Sequence, residues 1–142
     1  MKLAIGADHA GYELKEKIKE KLLSLDYDIE DVGTVSDEPV DYPDYAKKVA
    51  KKISEGEIEK GILICGSGIG MAIAANRYQN VRAAVANDEK SAKLSRQHND
   101  ANVLSIGSRL IEDNEADKIV ERWLNTEFEG GRHQRRVDKM ED

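Results

Sequence analysis

Ile62-Leu63-Ile64-Cys65-Gly66-Ser67-Gly68-Ile69-Gly70-Met71-Ala72-Ile73-Ala74-Ala75 passes from a branched apolar run, through three alternate glycines, into a run of helix formers. The run is the length of a buried strand, so the stretch is strand, loop and helix. The same alternation recurs outward from it. Further apolar runs occupy residues 3–5, 81–86 and 103–106, with a more polar one at 27–32. Between them, Leu14, Ile18, Leu22 and Leu25 make one helical stripe, with Lys15, Glu16, Lys19 and Glu20 expected on its wet side. Tyr45, Val49 and Ile53 mark a second helix, residues 71–76 and 91–97 a third and fourth. Ala116, Ile119, Val120 and Trp123 mark a fifth. The expected fold is a Rossmann-like three-layer α/β/α sandwich on a five-stranded parallel sheet, with a C-terminal helical tail. Residues 1–142 form one domain. Its last part, from about 127, is expected to project at the Gly130-Gly131 bend.

Composition narrows the function. Lys and Arg number 22 against 28 Asp and Glu, a net charge of −6 in 142 residues. Nucleic-acid binders need a basic stripe to displace counterions, so that class is excluded. One Trp, one Phe and five Tyr leave little for base stacking. Apolar runs reach about five residues, against the ~20 of a membrane span, and Asp8 interrupts the first run too early for a signal peptide. A single cysteine cannot form an internal disulfide, which points to a reducing compartment, the cytoplasm.

In open parallel sheets ligands sit beyond the carboxyl ends of the strands. Those ends carry Asp8-His9, Gly33-Thr34, the loop after Cys65, Asn87-Asp88 and Gly107-Ser108-Arg109. The glycine loop could aim backbone N–H groups at an anion. A dinucleotide fingerprint fails because Met71 stands where Gly or Ala belongs. A nucleoside-triphosphatase loop fails for want of Gly-Lys-Ser/Thr, and a cysteine-phosphatase loop because Met71 replaces its arginine. What remains is a thiol at the mouth of an oxyanion cradle. An ordinary thiol is only a few per cent ionised at neutral pH, and backbone donors with a helix N-terminus favour its anion. The plainer alternative makes Cys65 a small apolar residue closing a strand.

His98-Asn99 follows the fourth helix; with Cys65 it could also furnish a cysteine hydrolase, or His98 could merely cap its helix. Asp8 and His9 follow the first strand directly, where Asp8 could instead be a helix cap. Arg132 and Arg136 share a face if the tail is helical, which suits a phosphate dianion; a solvated basic patch is the alternative.

Five segments then carry a resemblance over essentially the whole chain. They are Gly6-Ala7-Asp8-His9-Ala10-Gly11, Asp41-Tyr42-Pro43, Cys65-Gly66-Ser67-Gly68-Ile69-Gly70, Ser95-Arg96-Gln97-His98-Asn99-Asp100-Ala101-Asn102 and Gly130-Gly131-Arg132-His133. The chain resembles the type-B ribose-5-phosphate isomerases, relatives of the galactose-6-phosphate isomerase subunits. The resemblance implies an aldose–ketose isomerase that works through a cis-enediolate with no metal and no cofactor. Cys65 would be the base, Ser67 part of the catalytic loop, and Gly66, Gly68 and Gly70 donors to the enediolate. His98 would open the sugar ring and Asp8 would assist proton movement. His9, Arg132 and Arg136, with Arg109, would hold the phosphate, while Tyr42 and Asn99 would touch the sugar. Some members lack the cysteine and carry glutamate at the position of Met71; here the cysteine version applies. The family also implies a homodimer with shared active sites, or a tetramer built from it. The expected substrate pair is ribose 5-phosphate and ribulose 5-phosphate. The alternatives are a six-carbon sugar phosphate such as galactose 6-phosphate or allose 6-phosphate, a cysteine phosphatase or hydrolase, and a nucleotide-binding module using Asp88.

Overall fold

The computed structural model describes residues 1–141. Strands β1 (Lys2–Ala7), β2 (Asp28–Asp31), β3 (Lys60–Cys65), β4 (Ala83–Val85) and β5 (Val103–Gly107) alternate with helices α1 (Tyr12–Ser24), α2 (Tyr42–Ser54), α3 (Ile69–Ala75), α4 (Glu89–Asn99) and α5 (Asp113–Leu124). A last helix, α6 (Arg132–Lys139), closes the chain. The sheet order is β2-β1-β3-β5-β4, and every pair is parallel. The central strands are buried on both faces, which is why they are continuous apolar runs rather than alternating ones. Leu14, Ile18, Leu22, Ile119 and Trp123 bring α1 and α5 to one face. Val49, Ile53, Met71 and Ala75 bring α2 and α3 to the other. The chain reverses direction between β1 and β3, so Asp8 and Cys65 end up beside the switch point. Among the described residues no helix is long and apolar enough to cross a membrane.

Three local expectations differ from the structure. The fourth strand is shorter than residues 81–86. The Asn76 side chain donates to Ala83 O (2.9 Å) and accepts from Ala83 N (2.7 Å), taking the place of a neighbouring strand at this edge. Leu25 is not part of the α1 stripe; it caps the helix and is 46% exposed. Lys15, expected in water, is 1% exposed.

A buried ammonium needs partners, and Lys15 has them. Its Nζ lies 2.6 Å from Asp31 Oδ2 and 2.9 Å from Glu16 Oε1, with the Tyr12 ring centroid at 5.3 Å. Asp31 also accepts from Lys19 (2.9 Å) and from the Gly33 N–H (2.9 Å). The turn at Gly33 is in turn bonded to the end of β1: Ala7 N donates to Gly33 O and Thr34 N to Ala7 O, both at 2.8 Å. One ion pair thus fixes the turn beside the strand end that bears Asp8.

Burial alone would raise the Asp31 carboxyl. Hydrogen bonds from Lys15, Lys19 and Gly33, with the Lys15 charge, outweigh it and hold the group below the ordinary carboxylate range. A carboxyl depressed in the folded state contributes stability above its unfolded value and loses it as pH falls through the folded one. Urea unfolding is therefore expected to show stability declining below about pH 4. Asp31→Asn should flatten that decline and cost about 1–3 kcal/mol at neutral pH by stranding Lys15.

Candidate active site

Cys65 ends β3 with 5% of its surface exposed, and the Gly68 N–H donates to its Sγ at 3.1 Å. Such a bond is stronger to a thiolate than to a thiol. The loop that delivers it is pinned from several sides. Ser108 N donates to Cys65 O (2.8 Å), Arg109 N to Gly66 O (3.0 Å), and the Ser105 hydroxyl to Gly68 O (2.6 Å). Gly68 has φ +81°, and a Cβ there would lie 2.9 Å from the Ile106 carbonyl carbon. Only glycine fits both demands. Ser67 Oγ accepts from Ile69 N at 3.2 Å, so its hydroxyl proton remains free to donate. Met71 is fully buried beneath the loop in the second apolar cluster.

The neighbouring strand ends bring further chemistry to the same edge. Asp8 is buried, its N–H bonded to Ile64 O (3.2 Å) and its Oδ1 accepting from Gly11 N (3.1 Å). His9 Nδ1 accepts from Val40 N at 3.1 Å, so a neutral His9 carries its proton on Nε2. Tyr42, the first residue of α2, lies over Gly70, where a Cβ would meet the ring at 2.5 Å. The Arg109 guanidinium lies beside Gly66, its nitrogen 3.1 Å from where a Cβ would stand. Tyr42 and Arg109 therefore flank one glycine loop that follows Cys65, with Asp8 and His9 at the end of the neighbouring strand. Asp88 is committed elsewhere: it caps α4, accepting from Ser91 N and Oγ at 2.7 Å each.

His98 and Asn99 are on the opposite edge. They form the last turn of α4, which leads into Val103, and Val103 pairs with Gly61 at the start of β3. From Gly61 to Cys65 the strand rises about 13 Å. Arg132 and Arg136 accompany His98 rather than Cys65. Helix α6 does not leave the domain; positive φ at Gly130 (+68°) and Gly131 (+55°) turns it back against α4, where His133 and Val137 are buried. Its end reaches the start of β4, where Glu141 accepts from Asn80 N at 3.1 Å. A cavity of about 420 Å³ opens there, lined by Asn99, Arg82, Tyr78 and Met140 among others, and it contains none of the residues around Cys65. A hydrolase dyad of Cys65 and His98 within one chain is thereby ruled out.

Two residues near His98 escape sequence reasoning. The His133 ring stacks on the His98 ring, centroids 4.4 Å apart and planes at 14°. Glu129 Oε1 lies 3.4 Å from His133 Nε2 and 3.9 Å from His98 Nε2. Ring nitrogens and carboxylate are close enough to suggest a metal site. Nearly parallel rings, however, aim their lone pairs along separate planes rather than at one point, so the stacked arrangement is not a formed metal centre. Burial, then the charges of Arg132 and His98, push His133 below the ordinary imidazole range.

Comparison with known proteins agrees with this architecture. The family model described as "Ribose/Galactose Isomerase" matches residues 3–140. Ribose-5-phosphate isomerase B of Escherichia coli (strain K12) is 49% identical over 139 residues, covering 98% of this chain and 93% of that protein. The structure of ribose-5-phosphate isomerase B from Clostridium thermocellum superposes with TM-score 0.97 at 48% identity, covering 99% of this chain and 95% of that one. The Mycoplasma genitalium enzyme with bound ribulose-5-phosphate gives TM-score 0.94 at 45% identity, covering 98% and 93%. The chain belongs to the ribose/galactose isomerase family.

Proposed function

We propose that this protein interconverts ribose 5-phosphate and ribulose 5-phosphate, with Cys65 as the base. The observation that carries the assignment is the Cys65 sulfur at the switch point, accepting a hydrogen bond from the Gly68 N–H of its own glycine loop. The substrate enters as a furanose. The anomeric hydroxyl loses its proton, C1=O forms, the C1–O4 bond breaks, and His98 protonates the released ring oxygen. The Cys65 thiolate then removes the C2 proton, and the electron pair of that bond forms C1=C2 while the aldehyde oxygen takes up negative charge. Returning the proton to C1 gives the ketose as the O2 proton departs and O1 is protonated, with Asp8 as the adjacent carrier. The loop N–H groups other than those of Gly68 and Ile69, with the Ser67 hydroxyl, face charge that develops only during reaction, where such groups lower the barrier most. His9, Arg109, Arg132 and Arg136 bind the phosphate, and Tyr42 and Asn99 the hydroxyls.

This chemistry needs two copies of the chain. The Cys65 edge lacks the ring-opening histidine and two of its arginines, and the His98 edge lacks the base. A homodimer in which one protomer's His98, Asn99, Arg132 and Arg136 face its partner's glycine loop supplies both. Ile69 (53% exposed) and Ile73 (63% exposed) sit one turn apart on α3, beside the glycine loop, and a partner would cover them. A reduced Cys65 is compatible with the cytoplasm.

Proton NMR of the protein with ribose 5-phosphate tests the reaction, and formation of ribulose 5-phosphate is expected. A higher kcat/KM on galactose 6-phosphate or allose 6-phosphate would move the assignment to the six-carbon branch, and phosphate release would reject isomerisation. Cys65→Ala should lower kcat by about 10³-fold or more at a stability cost of only ~1 kcal/mol. Arg136→Ala should raise KM about tenfold or more with kcat nearly unchanged, because phosphate is held in ground and transition states alike.

A further inference from the structure

The turn before α6 brings a carboxylate to His98 that the reaction above leaves unused. Glu129 N donates to Gln97 O at 3.1 Å, tying this turn to the last turn of α4. Its side chain is thereby delivered to the Nε2 edge of His98, 3.9 Å away. One face of the same ring is covered by His133, which is 6% exposed and stacked on it at 4.4 Å. The His98 side chain itself remains 41% exposed, open to a substrate presented by a second protomer.

We propose that Glu129 is the positioning residue of His98, holding its ring and supporting it as the acid that opens the sugar, with His133 as the surface against which the ring is packed. The inference rests on the ring-opening role assigned to His98. In that step His98 gives its proton to the departing ring oxygen, and it must therefore be able to carry positive charge beforehand. Glu129 Oε1 is the carboxylate oxygen that lies within 4 Å of its Nε2. Two stacked imidazoles cannot both be charged without repulsion, so the neighbour must stay neutral. Burial holds His133 in that form, reinforced by Arg132 and by Arg136 farther along α6, against the opposing pull of Glu129. Arg96, on the same helix as His98, is engaged elsewhere, with Asp100 (2.9 Å) and Thr126 O (3.1 Å). Glu129 is thus left as the counter-charge for His98.

Glu129→Gln keeps the shape and removes the charge. Acting through His98, it should lower kcat for ribose 5-phosphate about tenfold to a hundredfold, with KM within about twofold and the melting temperature unchanged. In a His98→Ala background, whose residual rate comes from the spontaneously opened sugar, the same substitution should change nothing further. Glu129→Asp should recover part of the rate. An equal loss in both backgrounds, or no loss in the parent, overturns the proposal. A His98→Ala variant with the parent's rate would instead remove the ring-opening role on which it rests.

Discussion

A parallel sheet forces every connection to return to the edge where the next strand begins, and that single constraint divides the chemistry of this chain. Residues that follow strands gather at one edge: Asp8 after β1, the glycine loop after β3 and Arg109 after β5. Residues that end helices gather at the other, and His98 and Asn99 close α4 there. No side-chain rotation bridges the about 13 Å of strand between the two edges. Cys65 and His98 are thus rigidly placed, and placed apart. In the proposed reaction the two halves come together when one molecule presents one edge to another molecule's opposite edge.

On the Cys65 side the order comes from backbone packing. Gly107 passes so close to Ser67 that a Cβ would stand 2.6 Å from its carbonyl carbon, and Gly68 needs a left-handed conformation. The Ser105 hydroxyl, the one polar side chain on the buried face of β5, satisfies the Gly68 carbonyl. The loop is therefore preorganised before substrate arrives, and little reorganisation is left for the reaction itself. The buried Lys15–Asp31 pair performs a comparable service one strand away, fixing the turn at Gly33 against the end of β1.

The fold was legible because branched runs and 3.6-residue stripes are dictated by burial, and burial is what a parallel sheet maximises. The errors came where one side chain overrode the pattern. Lys15 lies next to Leu14 on α1 and follows no stripe; only Asp31, 16 residues away in sequence, explains its burial. Asn76 occupies the free edge of β4 at Ala83 as a neighbouring strand would. For the site, Asp8, His9, Arg109 and the glycine loop could be found from the rule that ligands sit at strand ends, whereas Tyr42, at the start of α2, came only with the family resemblance. His98, Asn99, Arg132 and Arg136 could not, since helix ends carry no such rule; residue type and i, i+4 spacing made them candidates, and only the family resemblance gave them roles. Glu129 and His133 were missed because their contact with His98 depends on the direction in which the Gly130–Gly131 bend turns α6. A glycine pair announces a bend without saying which way it goes.

The proposed division of the site between two protomers is most directly tested by mixing two inactive variants. Cys65→Ala and His98→Ala each spoil one half, and a mixed dimer rebuilds one intact site from the undamaged halves. Co-refolded in equal amounts, the pair should recover about a quarter of the parent's activity on ribose 5-phosphate, as random pairing of a two-fold dimer requires. A mixture no more active than its components would contradict the account, for it would mean that Cys65 and His98 serve the same site from within one chain, or that His98 serves none.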